Sequence, residues 1–256
     1  MSPPTVCILA GGLGSRLGDA VRDTPKPLLP VAGRPFLDWQ LALLAAHGVR
    51  RVVLCVGYLG ERIEAVIGPR RHGIEIVYRF DPPGLAGTAG ALRGARDALG
   101  DAFQVLYGDT YLRIDYAAVW ERFATSGRLG LMTVLRNAGA WDTSNVVLSD
   151  DGEIVVYDKE QRHPDMAWID YGLGCLTAEA LDLLPGEPDL SVVYRELAAR
   201  GQLAAYVAEH RFYEIGTPSA LAETERFLMR ADPPGGPPAP RSDPPPTPAG
   251  EPGSPT

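Results

Sequence analysis

The chain has 256 residues, of which 45% are hydrophobic and 22% charged, and its formal net charge is −8. This composition is typical of a soluble globular protein with one main core, and the negative charge argues against a nucleic-acid-binding surface. No apolar run approaches the roughly 20 residues that span a bilayer. The first residues lack a basic segment before the apolar run, so we expect no secretory signal. Three scattered cysteines in apolar stretches indicate reduced, buried thiols, and we expect a cytoplasmic protein.

Strands and helices are predicted to alternate from residue 5 to residue 108. Short continuous apolar runs of the kind found in parallel sheets predict strands at residues 6–9, 52–56, 74–78 and 103–107. Helical spacing of apolar residues predicts helices at residues 38–46, 62–67 and 88–99. This alternation predicts an α/β fold with a Rossmann-like, mostly parallel sheet and helices on both faces.

Extended segments dominate the second half of the chain. The turn signal at residues 149–152, SDDG, lies between extended segments 144–148 and 154–158 and predicts a hairpin. Other extended segments are predicted at residues 168–176 and 212–215, and helices at 192–200 and 218–230. We therefore expect a small β-rich subdomain.

The C-terminal segment is rich in proline, glycine and small polar residues. Residues 233–256 contain no large apolar side chain and cannot bury enough surface to offset the entropy of ordering. The prediction is one folded domain at residues 1–232 followed by a disordered tail at 233–256. The sequence does not indicate whether this tail binds anything.

Lysine is nearly absent from the chain. Lys26 and Lys159 are the two lysines among 24 basic residues, and all the others are arginines. An ammonium is a compact, strongly hydrated point charge, whereas a guanidinium is a planar fork, so the two are not interchangeable at a phosphate. We interpret both lysines as phosphate-binding residues, against the alternative of chance composition.

A glycine-rich loop after the first strand is the strongest local signal. Residues 9–17, LAGGLGSRL, would let backbone N–H groups approach a polyphosphate. The guanidinium of Arg16 would add a positive charge and hydrogen-bond donors for the phosphate oxygens. The spacing is one residue too long for a dinucleotide fingerprint, and no Walker A lysine follows. A loop without a ligand remains the alternative.

Five motifs in order resemble those of the sugar-1-phosphate nucleotidylyltransferases, in the short bacterial branch similar to heptose- and mannose-1-phosphate guanylyltransferases. The motifs are the glycine-rich loop with PKP at residues 25–27, LAGTAGA at 85–91, GD at 108–109, YDK at 157–159 and YEIGTP at 213–218. The resemblance covers nearly all of the chain from Val6 to Met229. Departures from the family pattern at Asp158, Glu160 and Asp170 lie around the expected sugar pocket and leave the substrate more open than the reaction. Glu214 stands where the family often has Asp, and this departure concerns the geometry at the metal.

The resemblance implies transfer of a nucleoside monophosphate from an NTP to a sugar 1-phosphate, giving an NDP-sugar and pyrophosphate. It implies catalytic roles for Arg16 and Lys26. It implies nucleotide binding by Leu9, Ala10, Gly11, Gly12, Gly14, Ser15, Arg16, Gly87 and Thr88. It implies sugar-phosphate binding, in the β-rich subdomain, by Asn145, Asp158, Lys159, Asp170 and Gly172.

Asp109 and Glu214 are the expected ligands of Mg²⁺. Asp109 follows Gly108 at the carboxyl end of a predicted buried strand, where open α/β sheets place ligands, and Glu214 would join it from a distant segment. A capping role for Asp109 and a solvated side chain for Glu214 are the alternatives. For Gly87 and Thr88, which open a predicted helix, the alternative is an ordinary helix cap.

The favoured substrates are GTP and a heptose or mannose 1-phosphate. A uridylyltransferase for N-acetylmuramate 1-phosphate, a cytidylyltransferase for a small phosphorylated alcohol, and a non-catalytic sugar-nucleotide-binding regulator remain alternatives. The expected partners are the NTP and the sugar 1-phosphate, without nucleic acid or membrane. The oligomeric state is open, and a homo-oligomer is compatible with the sequence.

Replacement of Lys26 tests the point-charge interpretation. We expect Lys26→Ala to lower kcat for pyrophosphate release by several orders of magnitude, and Lys26→Arg not to restore it, because a planar guanidinium cannot replace a compact ammonium. Near-normal turnover of the arginine variant would contradict this interpretation.

Overall fold

The structure is a computed structural model that describes residues 4–12, 17, 23–82, 86–137, 139–140 and 143–230. The predicted tail at residues 233–256 lies outside the described residues, as does the loop segment that carries Gly14, Ser15 and Arg16.

The described residues form fourteen strands and seven α-helices. The strands are β1 Val6–Leu9, β2 Pro30–Val31, β3 Arg34–Pro35, β4 Arg51–Val56, β5 Arg70–Arg71, β6 Ile74–Phe80, β7 Ala102–Tyr107, β8 Thr110–Tyr111, β9 Gly130–Arg136, β10 Val146–Leu148, β11 Ile154–Tyr157, β12 Trp168–Thr177, β13 Leu203–Val207 and β14 Tyr213–Glu214. The helices are α1 Phe36–Ala46, α2 Gly60–Ile67, α3 Gly87–Gly94, α4 Arg96–Leu99, α5 Tyr116–Ser126, α6 Leu190–Ala199 and α7 Pro218–Arg230. Short 3-10 helices form at Lys26–Leu28 and Ala178–Asp182.

Ten strands form the central sheet. Its parallel part has the order β6-β4-β1-β7, with Cys7 of β1 opposite Val53 of β4 and Val105 of β7. Beyond β7 the sheet continues through antiparallel β12, which pairs with β10 and β9, and β13 pairs in parallel with β9. The β-rich half of the chain therefore extends the same sheet.

Both faces of the sheet are covered by helices, as predicted. Along β4, Val52, Leu54 and Val56 belong to one buried cluster with α1, α2, α5 and α7, whereas Val53 and Cys55 belong to the other with α3, α4 and α6. Successive side chains of a strand point to opposite faces, so a strand buried on both faces must be apolar at every position. This explains why these strands appear in the sequence as continuous apolar runs.

The predicted hairpin is present, and the predicted helix at residues 88–99 is interrupted. Strands β10 and β11 pair antiparallel around the turn at residues 149–152. The helix divides into α3 and α4 at Ala95, which has φ −98° and ψ 1°. Gly94, which lowers helix propensity by about 1 kcal/mol relative to alanine, directly precedes this break.

All three cysteines are free and buried, as expected. Within the described residues, none of the helices combines the length and the apolar character required to cross a bilayer.

Asp115 caps α5, and its replacement tests how much this cap stabilises the fold. Its carboxylate accepts hydrogen bonds from the backbone N–H groups of Ala117 and Ala118, both at 3.0 Å. We expect Asp115→Ala to lower the free energy of unfolding by about 1 kcal/mol, which corresponds to a fall in Tm of about 2–4 °C. Asp115→Asn is the control, because asparagine also caps helices. An unchanged Tm in the alanine variant would contradict the stabilising role.

Candidate active site

The carboxyl ends of the parallel strands meet at one edge of the sheet. There β1 continues towards Gly11, β6 is followed by Asp81, and β7 leads into the turn at residues 107–110. The backbone N–H of Gly108 donates to the carbonyl of Leu9 at 2.9 Å and joins two of these strand ends. Open α/β sheets bind their ligands at this edge.

Two cavities open at this edge and share part of their lining. The smaller has a volume of about 300 Å³ and the larger about 630 Å³, and Tyr107 and Asp109 line both. The described residues of the predicted nucleotide-binding set all line the smaller cavity together with Lys26: Leu9, Ala10, Gly11, Gly12, Gly87 and Thr88. The predicted sugar-phosphate set lines the larger cavity together with Glu214: Asn145, Asp158, Lys159, Asp170 and Gly172. The structure thus separates the two predicted sets into adjoining cavities.

An ion pair lies where the two cavities meet. Lys26 Nζ is 2.6 Å from Asp109 Oδ2, and the two side chains are 12% and 32% exposed. The hydroxyl of Thr110 donates to the other carboxylate oxygen of Asp109 at 3.0 Å. Pro25 and Pro27 flank Lys26 and fix φ on both sides, which restricts the backbone that presents the ammonium.

Glu214 is brought next to Asp109 by a two-residue strand pairing. In the pair β8–β14, Glu214 lies opposite Thr110, and the N–H of Ile215 donates to the Asp109 carbonyl at 3.0 Å. On α7 the hydroxyl of Thr224, which is 1% exposed, donates to the Glu214 carbonyl at 2.6 Å. The two segments that carry the predicted metal ligands are therefore joined directly.

The donor set fits Mg²⁺ that is completed by substrate oxygens. Mg²⁺ is usually bound through one or two carboxylates together with phosphates and water, and Asp109 and Glu214 supply two carboxylates in the larger cavity. No group of three or more potential metal ligands exists among the described residues. The described residues therefore do not supply a complete set of protein ligands for a metal ion.

Lys159 and Asp170 face each other in the larger cavity. Lys159 Nζ is 3.5 Å from Asp170 Oδ2, and the lysine side chain is 44% exposed against 8% for the aspartate. Asp170 is fixed from two sides: its Oδ1 accepts from the N–H of Gly172 at 3.0 Å, and its own N–H donates to Asn145 Oδ1 at 2.9 Å. An accessible ammonium is thus oriented by a buried carboxylate.

Asp158 organises the loop that carries Lys159. Its Oδ1 accepts hydrogen bonds from the backbone N–H groups of Gln161 at 2.9 Å and Glu160 at 2.7 Å, and Arg195 Nη1 lies 3.4 Å from its Oδ2. The hydrogen bond from Gln161 and then that from Glu160 hold the pKa of Asp158 below its ordinary value. The carboxylate is largely engaged by its own loop.

The start of α3 is already hydrogen-bonded to another segment. The N–H of Ala89 donates to the Pro188 carbonyl at 2.8 Å, and the Thr88 hydroxyl accepts from the N–H of Leu190 at 2.8 Å. Gly87 has φ +71°, and a Cβ at this position would collide with the carbonyl oxygen of Pro188. Gly87 and Thr88 form part of the wall of the smaller cavity, and their role in nucleotide binding stays a prediction.

Asp81 and Tyr107 are site residues that sequence reasoning missed. Asp81 lines the smaller cavity so close to Gly11 that a Cβ on this glycine would lie 2.8 Å from Asp81 Oδ2. Burial raises the pKa of Asp81 above its ordinary value. Asp81 follows the last residue of a parallel strand, so the positional argument that singled out Asp109 would also have found it.

Comparison with known proteins gives one family and several relatives. The family model described as nucleotidyl transferase matches residues 5–230. D-glycero-alpha-D-manno-heptose 1-phosphate guanylyltransferase from Aneurinibacillus thermoaerophilus is 32% identical over 159 residues, which cover 62% of this chain and 68% of the relative. N-acetylmuramate alpha-1-phosphate uridylyltransferase from Neisseria meningitidis serogroup B is 38% identical over 161 residues, which cover 62% of this chain and 67% of the relative.

A solved structure shares the fold. The crystal structure of HddC from Yersinia pseudotuberculosis superimposes with a TM-score of 0.72 at 24% identity, over 88% of this chain and 99% of that chain. The family match at residues 5–230 includes every described strand end that forms the two cavities. This chain therefore belongs to the nucleotidyl transferase family.

Proposed function

We propose that this protein transfers a nucleoside monophosphate from an NTP to a sugar 1-phosphate and releases pyrophosphate. The observation that carries the proposal is the Lys26–Asp109 ion pair at the meeting point of two cavities. In this proposal the smaller cavity receives the nucleotide and the larger cavity the sugar phosphate. Both substrates then present their phosphates to the same lysine and carboxylate.

The proposed reaction needs no general base, because the attacking oxygen of the sugar phosphate is already an anion. It forms a bond to the α-phosphorus in line with the departing pyrophosphate, so catalysis consists of positioning and charge neutralisation. Lys26 would contact the α-phosphate and the leaving bridge oxygen, and Lys159 would hold the phosphate of the sugar. Arg16, which lies outside the described residues, keeps its predicted role at the pyrophosphate.

We propose Mg²⁺ as the cofactor, held by Asp109 and Glu214. When bound, the ion would neutralise charge on the phosphate oxygens and help to orient them. The adjacency of the two carboxylates across β8 and β14 supports this assignment.

We propose GTP as the nucleotide, with Asp81 recognising the base. The Watson–Crick edge of guanine presents two adjacent donors, N1–H and N2–H, which a carboxylate accepts with both oxygens. Uracil presents a single N3–H between two carbonyl oxygens, and these repel a carboxylate. The position of Asp81 in the smaller cavity and the guanylyltransferase relative both support this choice.

We propose a heptose or mannose 1-phosphate as the acceptor. The carboxylates of Glu160 and Asp170, which line the larger cavity, would accept hydrogen bonds from sugar hydroxyls. The uridylyltransferase relative favours N-acetylmuramate 1-phosphate as the alternative. Muramate carries an additional carboxylate, and the described lining of the larger cavity has five acidic residues against the two basic residues Lys159 and Arg162, so the charge of the lining disfavours that sugar. A non-catalytic regulator is disfavoured because both lysines line the cavities.

A panel of NTPs and sugar 1-phosphates tests the proposed function. We expect pyrophosphate release to be fastest with GTP and a heptose or mannose 1-phosphate, to stop when EDTA removes Mg²⁺, and to resume with excess Mg²⁺. Faster release with UTP and N-acetylmuramate 1-phosphate would establish the alternative. Nucleotide binding without release for every pair would contradict an enzyme and favour a regulator.

Replacement of Asp81 tests the proposed recognition of guanine. We expect Asp81→Asn to lower kcat/KM for GTP by about 10- to 100-fold, because a bidentate base contact contributes about 1–3 kcal/mol of discrimination. The kcat/KM for UTP should fall less or rise, since an amide can donate to a uracil carbonyl. Asp97→Asn is the matched control, because Asp97 is an exposed aspartate paired with Arg79 outside both cavities. Equal losses for GTP and UTP would contradict base recognition by Asp81.

A further inference from the structure

Gln40 is a buried amide that lies outside the lining of both cavities. It belongs to α1 and is 1% exposed. Its Nε2 donates to the carbonyl of Tyr107 at 2.9 Å and to the carbonyl of Thr110 at 2.8 Å. These two carbonyls belong to the first and last residues of the turn that carries Asp109.

We propose that Gln40 is a positioning residue that fixes Asp109 for catalysis, an inference that rests on the proposed function. The NH₂ group has two hydrogens, and both are used on the same turn. Two bonds from one nitrogen hold the ends of the turn at a constant separation. Rotation of this turn would carry the Asp109 carboxylate away from Lys26.

The helix α1 provides a rigid support for this amide. Leu37, Leu41 and Leu44 on the same helix are fully buried in the main core. The turn is also bonded to a second segment, because the Asp109 carbonyl accepts from the N–H of Ile215, the residue that follows β14. Gln40 and Ile215 therefore both hold the Asp109 turn.

The side-chain carbonyl oxygen of Gln40, which accepts no hydrogen bond from the described residues, also indicates a specific role for this amide. Its Oε1 is buried and has no hydrogen-bond partner among the described residues. A buried acceptor without a partner costs about 1–3 kcal/mol, which an apolar side chain of similar shape would avoid. The two donated bonds to the Asp109 turn account for an amide at this position.

Gln104 is a matched control for a purely structural effect. It lies on β7, is 0% exposed, and donates through Nε2 to the Tyr116 carbonyl at 2.9 Å. Its Oε1 likewise has no partner among the described residues. Gln104 thus matches Gln40 in residue type, in burial and in its unpartnered acceptor, whereas it donates one hydrogen bond instead of two, and that bond does not hold the Asp109 turn.

The experiment compares Gln40→Met with Gln104→Met in the full-length protein. Both variants should lower Tm, because each loses buried hydrogen bonds. We expect Gln40→Met to lower kcat for pyrophosphate release by about 10- to 100-fold, since a misplacement of about 1 Å costs about this much. The KM values should change much less, and Gln104→Met should keep kcat near the wild-type value.

Hydrogen exchange provides a second readout that does not depend on turnover. Without substrates, amides of the peptide that contains residues 107–110 should exchange faster in Gln40→Met than in wild type, and faster than in Gln104→Met. If the methionine variants do not fold, Gln40→Asn and Gln104→Asn replace them, because the shorter amide cannot reach the same carbonyls. Equal kcat for the two variants, or unchanged exchange in the peptide, would overturn the inference.

The two proposals fail in different ways. A wild-type protein that releases no pyrophosphate with any substrate pair would overturn the proposed function. Hydrogen exchange would in that case still decide whether Gln40 holds the turn. Normal wild-type activity with equal effects at Gln40 and Gln104 would overturn only the role of Gln40.

Discussion

The contact between Lys26 and Asp109 is the interaction on which the arrangement of the site depends. A largely buried ammonium is costly unless a carboxylate neutralises it, and removal of Asp109 would leave the Lys26 ammonium poorly solvated. Several backbone segments converge to keep this pair together. The β2–β3 turn is held by α7, because Glu225 accepts from the N–H of Ala32 at 3.1 Å. The same helix holds the segment of Glu214 through Thr224. The helix α7 therefore supports both the β2–β3 turn, which follows the segment of Lys26, and the segment of Glu214.

The site also depends on the junction between the two halves of the sheet. The smaller cavity belongs to the parallel half, whereas the larger is formed mainly by the strands that follow. These halves are joined where β12 pairs antiparallel with β7, with Leu173 opposite Leu106. This register brings Asp170 and Gly172 into the same cavity as Tyr107 and Asp109. Both cavities therefore reach the carboxylate of Asp109, as the proposed reaction between two substrates requires.

Sequence patterns predicted the parallel half of the fold well, because strands buried on both faces are apolar at every position. The helix α5 and the strands β9 and β13 were not assigned, although Asp115 and the apolar residues of β9 carry recognisable signals. The order of the antiparallel strands could not be predicted, since pairing between distant segments has no local signature.

The candidate site was predictable where residues follow strand ends or match family motifs. The rarity of lysine singled out Lys26 and Lys159, and a strand end and a family motif singled out Asp109 and Glu214. All four line the cavities, although the pairing that joins the two carboxylate segments involves only two residues in each strand. Gln40 could not be found, because a single amide on an apolar helix produces no periodic pattern. Its hydrogen-bond partners are evident only when the turn at residues 107–110 is placed against α1.

The hydrogen bond between Thr88 and Leu190 has a structural consequence. Leu190 is the first residue of α6, and Arg195 on the same helix contacts the carboxylates of Asp158 and Glu160. The helix α6 thus connects the wall of the smaller cavity, at Thr88, to the loop of the larger cavity that carries Asp158 and Glu160. The two cavities therefore have a structural element in common besides the turn that carries Asp109.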